Sequence, residues 1–166
     1  MTPDIPHHAQ FNLEQTIGAP VSTVFQALSD PAARTRWGVP SDDEVLIYDA
    51  ADFRVGGVDT FRCGPRAAPA FHGGTCYLAI VPGHRIVAVD TVATGGQTLA
   101  CALLTTEVLP DAAGTLLRLT VQLVSFVGPG MAAAQQGGHR AALASWRDDD
   151  RQRLTQGPIA SLAHPW

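Results

Sequence analysis

From Glu44 to Val127 the chain alternates apolar and polar residues, and only short Gly- or Pro-bearing links interrupt it. That feature limits the fold more than any other. The predicted strands are Val45 to Tyr48, Phe53 to Cys63, Gly74 to Val81, Arg85 to Ala93, Leu99 to Leu109 and Thr115 to Val127. Their links include Pro82-Gly83-His84, Gly95-Gly96 and Asp111-Ala112-Ala113-Gly114. Links so short make hairpins, because a parallel pair needs a crossover of about a dozen residues or more. The segment is therefore expected to be an antiparallel meander. Leu117, Leu119, Val121 and Leu123 share one face of its last strand and Arg118, Thr120 and Gln122 the other, so one side is buried and one wet.

The segments flanking the meander supply the cover. Phe11, Leu13, Gln15 and Ile17 alternate with polar neighbours as a first strand. A short amphipathic helix from Pro20 to Leu28 comes next, with Val21, Val24, Phe25 and Leu28 at helical spacing. Asp30-Pro31 starts a second helix, an Asp cap with Pro in the first turn, which Gly38 and Pro40 end after Trp37. Past Gly128-Pro129-Gly130 a long helix is expected from Met131 to about Leu154. Ala132, His139, Leu143 and Trp146 lie within about 60° on its wheel and define its buried stripe, with Leu143 and Trp146 set against Leu117, Leu119 and Val121. Asp148 to Asp150 with Arg151 and Arg153 read as its solvated end, including a weak Asp149–Arg153 pair. At 166 residues this is one domain, expected over 11–155, with a flexible N-terminus at 1–10 and a tail at 156–166. The fold class is α+β: seven antiparallel strands curved around a long terminal helix, with two short helices after the first strand plugging one end. Such a sheet cannot close tightly along the helix, and the space left over is the natural pocket.

Composition removes several function classes. A net charge of −4, with no Arg-rich run, argues against nucleic acid as a partner. All eleven basic residues are Arg, a skew that reads as nucleotide-composition bias. Cys63, Cys76 and Cys101 are odd in number and lack C-x-x-C spacing, which suits a reducing cytoplasm and gives no zinc signature. The N-terminus has no signal-peptide pattern, and no apolar run approaches the ~20 residues of a membrane span. His7-His8 reads as a terminal pair rather than a metal site. No nucleophile elbow, phosphate loop, dinucleotide fingerprint or H-E-x-x-H is present, so no cofactor or metal is expected.

The segment IGAPVSTVFQALSDPAARTRW, Ile17 to Trp37, resembles the opening of the SRPBCC superfamily, the START-like helix-grip proteins. Asp52-Phe53-Arg54-Val55-Gly56-Gly57, with Gly74, Pro82 and Gly114-Thr115, is similar to the branch named after the activator of the 90-kDa heat-shock-protein ATPase. That branch closes with Gly-Trp-x-x-x-Leu on the long helix, represented here by Gly138-His139 with Leu143 and Trp146. The likeness covers about residues 11 to 150, and it departs from the pattern where His139 replaces Trp. It implies a fold shared by lipid and hormone binders, polyketide cyclases and aromatases, oxygenase domains and chaperone activators, so activity is not settled by fold. The oxygenase option lacks its 2-His-1-carboxylate spacing. The eukaryotic chaperone activators add another domain, for which this length leaves no room.

Several residues are candidates for a pocket. Trp37, Phe53, Phe61 and Tyr77 supply aromatic surface, as wall or as core. Arg54 either anchors a ligand carboxylate or phenolate, or pairs with a nearby Asp while the glycines bend the strand. His139 is either a general acid or base or a hydrogen-bonded core imidazole. His72 shares strand parity with Cys76 unless Gly73-Gly74 forms a bulge. Asp90, in the apolar strand RIVAVDTVA, is a pocket carboxylate or faces solvent, with alternation favouring the inside. The expected ligand set is Trp37, Phe53, Arg54, Phe61, His72, Cys76, Tyr77 and His139, with His139 and Asp90 as catalytic candidates. The expected function is binding of a small hydrophobic or aromatic, lipid-like molecule, with a homodimer left open. A cyclase-like or hydrolase-like enzyme and a chaperone-directed interaction module are the alternatives.

Overall fold

The computed structural model describes residues 5–39 and 41–148. Seven strands form one antiparallel sheet: β1 (His7–Ile17), β2 (Glu44–Ala50), β3 (Val58–Pro65), β4 (Phe71–Val81), β5 (Arg85–Thr94), β6 (Gln97–Asp111) and β7 (Gly114–Ser125). Helices α1 (Val21–Ser29) and α2 (Pro31–Trp37) come after β1, and α3 (Pro129–Asp148) closes the described chain. The strand order is β1-β7-β6-β5-β4-β3-β2, so β2 to β7 are a plain meander and β1 returns to pair with β7. The expected reach of the long helix to Leu154, the Asp149–Arg153 pair and the tail lie outside the described residues.

Three expected boundaries move by three residues or more, that of β4 from Gly74 to Phe71. β1 begins at His7, within the stretch expected to be flexible, because His7 to Gln10 continue the ladder opposite Ser125 to Gln122. β3 begins only at Val58 instead of Phe53. Residues 52–57 form a turn, with Arg54 N–H donating to the Asp52 carbonyl and Gly57 N–H to that of Arg54. Gly56 has φ 78°, and a Cβ on Gly57 would sit 2.1 Å from the Asp52 carbonyl oxygen, so the glycine pair forces a turn where alternation suggests strand.

The inner face of the sheet holds the core. Ile17, Val24, Val108, Leu117 and Val121 are fully buried there. Asp30 caps α2 by accepting from Ala32 N–H at 3.0 Å, and Pro31 occupies its first turn, as the sequence predicts. α3 packs chiefly on β1 and β7 and touches α2, which in turn packs on β2. Its stripe of Ala132, Ala142, Leu143 and Trp146 is buried, with Ala132, Leu143 and Trp146 in one cluster with Leu117, Leu119 and Val121. Because α3 is centred over β1 and β7, the inner face thins toward β2–β5. There Tyr48, Phe61, Gly73, Thr75, Asp90 and Val92 are only half-buried.

Candidate functional site

Register explains the contents of that thinly covered region. Asp59, Thr75, Asp90 and Ala102 stand side by side on β3, β4, β5 and β6. The next row holds Tyr48, Phe61, Gly73, Val92 and Ala100. The row on the other side holds Tyr77, Ala88 and Leu104. Small side chains occupy these rows, Gly73 and Thr75 half-buried and Ala88, Ala100 and Ala102 buried in the core, and aromatic ones stand at their edge. Gly73 is required: a Cβ there would lie 2.2 Å from the Phe61 ring. The result is a stretch of inner face over strands β2–β6, beside α2, where the covering layer recedes.

Arg34 of α2 enters this recess. It sits one helical turn past the Asp30 cap, which aims it at the sheet, and it is 7% exposed. Its Nη1 donates to Asp59 Oδ2 at 2.5 Å and to the Tyr77 hydroxyl at 2.7 Å. Tyr77 in turn donates to Asp59 Oδ2 at 2.5 Å, and Asp52 N–H donates to Asp59 Oδ1 at 2.7 Å. Asp59, fully buried, is thus satisfied at both oxygens. The guanidinium carbon lies 4.5 Å from the Tyr48 ring centroid, in cation–π range.

Arg34 Nε and Nη2 are buried and have no hydrogen-bond partner among the described residues, and the same is true of Asp90 Oδ1. Such orphans are rare because each costs about 1–3 kcal/mol. Burial pushes the Asp90 carboxyl up to about 6, against the opposing influence of the Thr75 hydroxyl. Burial likewise pushes the Tyr48 phenol up to about 12, in part offset by Arg34. The Tyr77 phenol is raised by burial and then by its bond to Asp59, so both tyrosines are neutral.

The sequence candidates divide around this recess. Tyr77 and Phe61 belong to it, and Asp90 faces inward. Trp37 lies against Trp146 with ring centroids 4.9 Å apart and donates its indole N–H to the Ala27 carbonyl. Phe53 packs edge-on against Tyr77 at 4.9 Å and against Phe25 at 6.2 Å. Arg54 is exposed and pairs with Asp52 at 2.9 Å. His72 is exposed on the outer face, where its register partner Arg62 bonds Asp49. Cys76 also faces outward, since it neighbours the inward Tyr77 and Thr75. The bulge lies between Tyr77 and Ala79, beyond His72 and Cys76, so their shared parity holds on the wrong side for the recess. His139 stacks on Phe11 of β1, with centroids 6.2 Å apart, and burial lowers its pKa. β1 is three strands from β5, so the structure does not bring His139 to Asp90.

Arg34 and Asp59, the centre of the cluster, are absent from the sequence candidates. Arg34 lies in a helix predicted only as a plug, yet its position one turn after the Asp-Pro cap was a usable signal. Asp59 hid in the misplaced start of β3. An open groove of about 580 Å³ lies on the outer face, lined by His8, Gln10, Val89, Cys101, Leu103 and Gln122 among others. It gathers no charged side chains. Among the described residues no three His, Cys, Asp or Glu side chains group to hold a metal, and no helix is long and apolar enough to cross a membrane.

A curved seven-stranded antiparallel sheet carrying a long terminal helix, with two short helices after the first strand, defines a helix-grip protein. The chain belongs to the family described as Activator of Hsp90 ATPase homolog 1-like protein, whose pattern matches residues 18–148, within the SRPBCC superfamily. It is similar to the crystal structure of the Mll3558 protein from Rhizobium loti, with 31% identity and a TM-score of 0.75 over 88% of this chain and 99% of that one. An uncharacterised protein from Rhizobium leguminosarum shares the fold at 24% identity and a TM-score of 0.74, covering 92% of this chain and 98% of its own. So does the AHSA1-like protein from Aeromonas hydrophila, at 17% identity and a TM-score of 0.65, over 90% and 98%. No curated protein matches the chain.

Proposed function

We propose that this protein binds a small aromatic or otherwise hydrophobic molecule in the inner-face recess between the sheet and α2–α3. The observation that carries the reading is the convergence of buried, unpartnered polar atoms on Arg34 and Asp90 beside rows of small residues. A region built only for packing would satisfy those atoms. The aromatic edge of Tyr48 and Phe61 suits a flat apolar body. A ligand of ~20 heavy atoms at ~0.3 kcal/mol each would bind in the tens of micromolar. The unpaired cysteines fit a reducing compartment, and we assign the protein to the cytoplasm.

The test is displacement of a neutral hydrophobic dye such as Nile red by aromatic compounds, with native mass spectrometry of protein purified from its own host. Val92→Trp, at a half-buried inner-face position beside Gly73 and Ala100, should block binding while the fold persists. No retained ligand and no displaceable dye, or a Val92→Trp variant that binds normally, would overturn the reading. A second reading, proton-transfer catalysis, is favoured by the raised Asp90 carboxyl beside a cationic Arg34. It would show as turnover lost in Asp90→Asn with binding retained.

A further inference from the structure

The orphan atoms have a chemistry more specific than hydrophobic binding, and its assignment rests on the recess being a binding site. Arg34 spends only Nη1 on Asp59 and Tyr77. The free Nε and Nη2 form the other edge of the guanidinium, where two N–H bonds run parallel. That fork matches two oxygens of one planar group, a geometry lysine cannot offer. Asp90 stands two strands from Asp59, roughly 10 Å at ordinary strand spacing, on the same inner face that Arg34 reaches through its bond to Asp59.

We propose that the recess takes a planar aromatic carboxylate, whose two oxygens accept from Arg34 Nε–H and Nη2–H while Asp90, protonated on binding, donates to one of the same oxygens. One anion and one proton then satisfy every orphan on Arg34 and Asp90. A neutral carbonyl would leave one edge nitrogen idle. A carboxylate beside an ionised Asp90 would meet like-charge repulsion, so the proton must enter with the ligand. The groups that face Asp90 allow this. Arg34 of α2 and Asp59 of β3 are paired with each other, and Tyr48 of β2 and Tyr77 of β4 are neutral phenols. Thr75 of β4 is uncharged, as is its β6 neighbour Ala102, and His139 of α3 lies on Phe11. The ring of the ligand lies toward Tyr48 and Phe61, which meet at 6.0 Å.

Isothermal titration of the intact protein with 2-naphthoate, its methyl ester, 2-naphthol and acetate tests the assignment. Titrations in two buffers of different ionisation enthalpy count protons. The expected result is 2-naphthoate binding with uptake of up to one proton, and an affinity falling up to about tenfold per pH unit above pH 6. Asp90→Asn should bind 2-naphthoate with little pH dependence and no proton uptake. Arg34→Lys keeps the charge but loses the fork and should bind about 10- to 100-fold more weakly. Should Arg34→Lys not fold, the Asp90→Asn pH profile decides alone. Equal affinity for ester, alcohol and acid, or binding of the acid without proton uptake, would overturn the carboxylate assignment while leaving a hydrophobic site in place. Acetate binding as tightly as 2-naphthoate would overturn its aromatic part. Failure of all four ligands together with an undisplaceable dye would instead remove the site itself.

Discussion

The Arg34–Asp59 pair permits a test that separates stability from function. Asp59→Ala would remove the acceptor of Arg34 Nη1, of the Tyr77 hydroxyl and of Asp52 N–H in one step. It would leave an almost fully buried guanidinium with no counter-charge. Breaking one side of such a pair costs about 3–5 kcal/mol, a fifth or more of the ~5–15 kcal/mol that holds an ordinary domain. Removing both charges is a different matter, because the desolvation that opposes the pair disappears with it. Arg34→Met with Asp59→Leu should therefore recover most of the loss and lie within about 1–2 kcal/mol of the parent. Tyr77 would lose both its hydroxyl partners in that double variant, so Tyr77→Phe belongs in the same background. Urea unfolding with constant m-values is the measurement. The double variant should fold and yet lose affinity for any carboxylate. An Asp59→Ala cost under about 1 kcal/mol, or a double variant as unstable as the sum of its parts, would refute the reasoning.

Three further outcomes are expected from individual contacts. Trp146→Ala should cost about 3–5 kcal/mol, since the ring is 3% exposed and packs on Trp37 at 4.9 Å, whereas Trp146→Phe should cost far less because it also removes a buried, unpartnered indole N–H; thermal melts compare them. Gly73→Ala should cost about 1–3 kcal/mol by driving its methyl into the Phe61 ring, and Phe61→Leu in the same chain should restore part of that in urea unfolding. Asp90 has a folded pKa raised from 3.8 to about 6, so the folded state holds its proton where the unfolded chain has released it, and stability falls as pH rises from about 4 to 6. Asp90→Asn should therefore be the more stable protein at pH 8, by an advantage that vanishes toward pH 4; an advantage equal at both pH values would contradict the assignment of a buried carboxyl.

The fold was legible because its signals are local. Alternation broken by short links gave hairpins, and Asp30-Pro31 gave the start of α2 to the residue. The candidate site was legible only in part because it is built from long-range register. Tyr77 and Cys76 are neighbours in sequence, and only the pairing of β4 with β3 and β5 shows that Tyr77 points inward and Cys76 outward. Arg54 drew attention through its glycines, yet those glycines make a surface turn that holds Arg54 on Asp52. The same turn sends Asp52 N–H to Asp59, so the motif acts at the site through its backbone and not through its arginine. His139 lay on the correct stripe of α3, but α3 is centred over β1 and β7, a lateral offset that helical periodicity does not encode.

Stability is given up at several positions of this protein, and where the polar ones gather is itself an argument. Gly137 and Gly138 sit in the interior of α3, where each costs about 0.5–1 kcal/mol relative to alanine, and a Cβ at either would meet nothing within 4 Å. No steric demand explains them. Gly138 lies on the same helix flank as Ala142 and Ser145, and Ser145 bonds the Trp37 carbonyl at the end of α2. On the sheet, Gly73, Thr75, Ala88, Ala100 and Ala102 are again small, the three alanines within the core. Beside these rows lie three orphaned polar atoms, on Arg34 and Asp90, and a carboxyl held partly protonated by burial. Under the outer strands the packing is of another kind: Ile17, Val24, Leu117 and Val121 pack to full burial, and Thr115 and Ser125, though polar, are both buried and bonded. Among the described residues the buried orphans away from this region reduce to the Trp146 indole N–H, while three gather on Arg34 and Asp90, a concentration that suits an occupant of matching polarity.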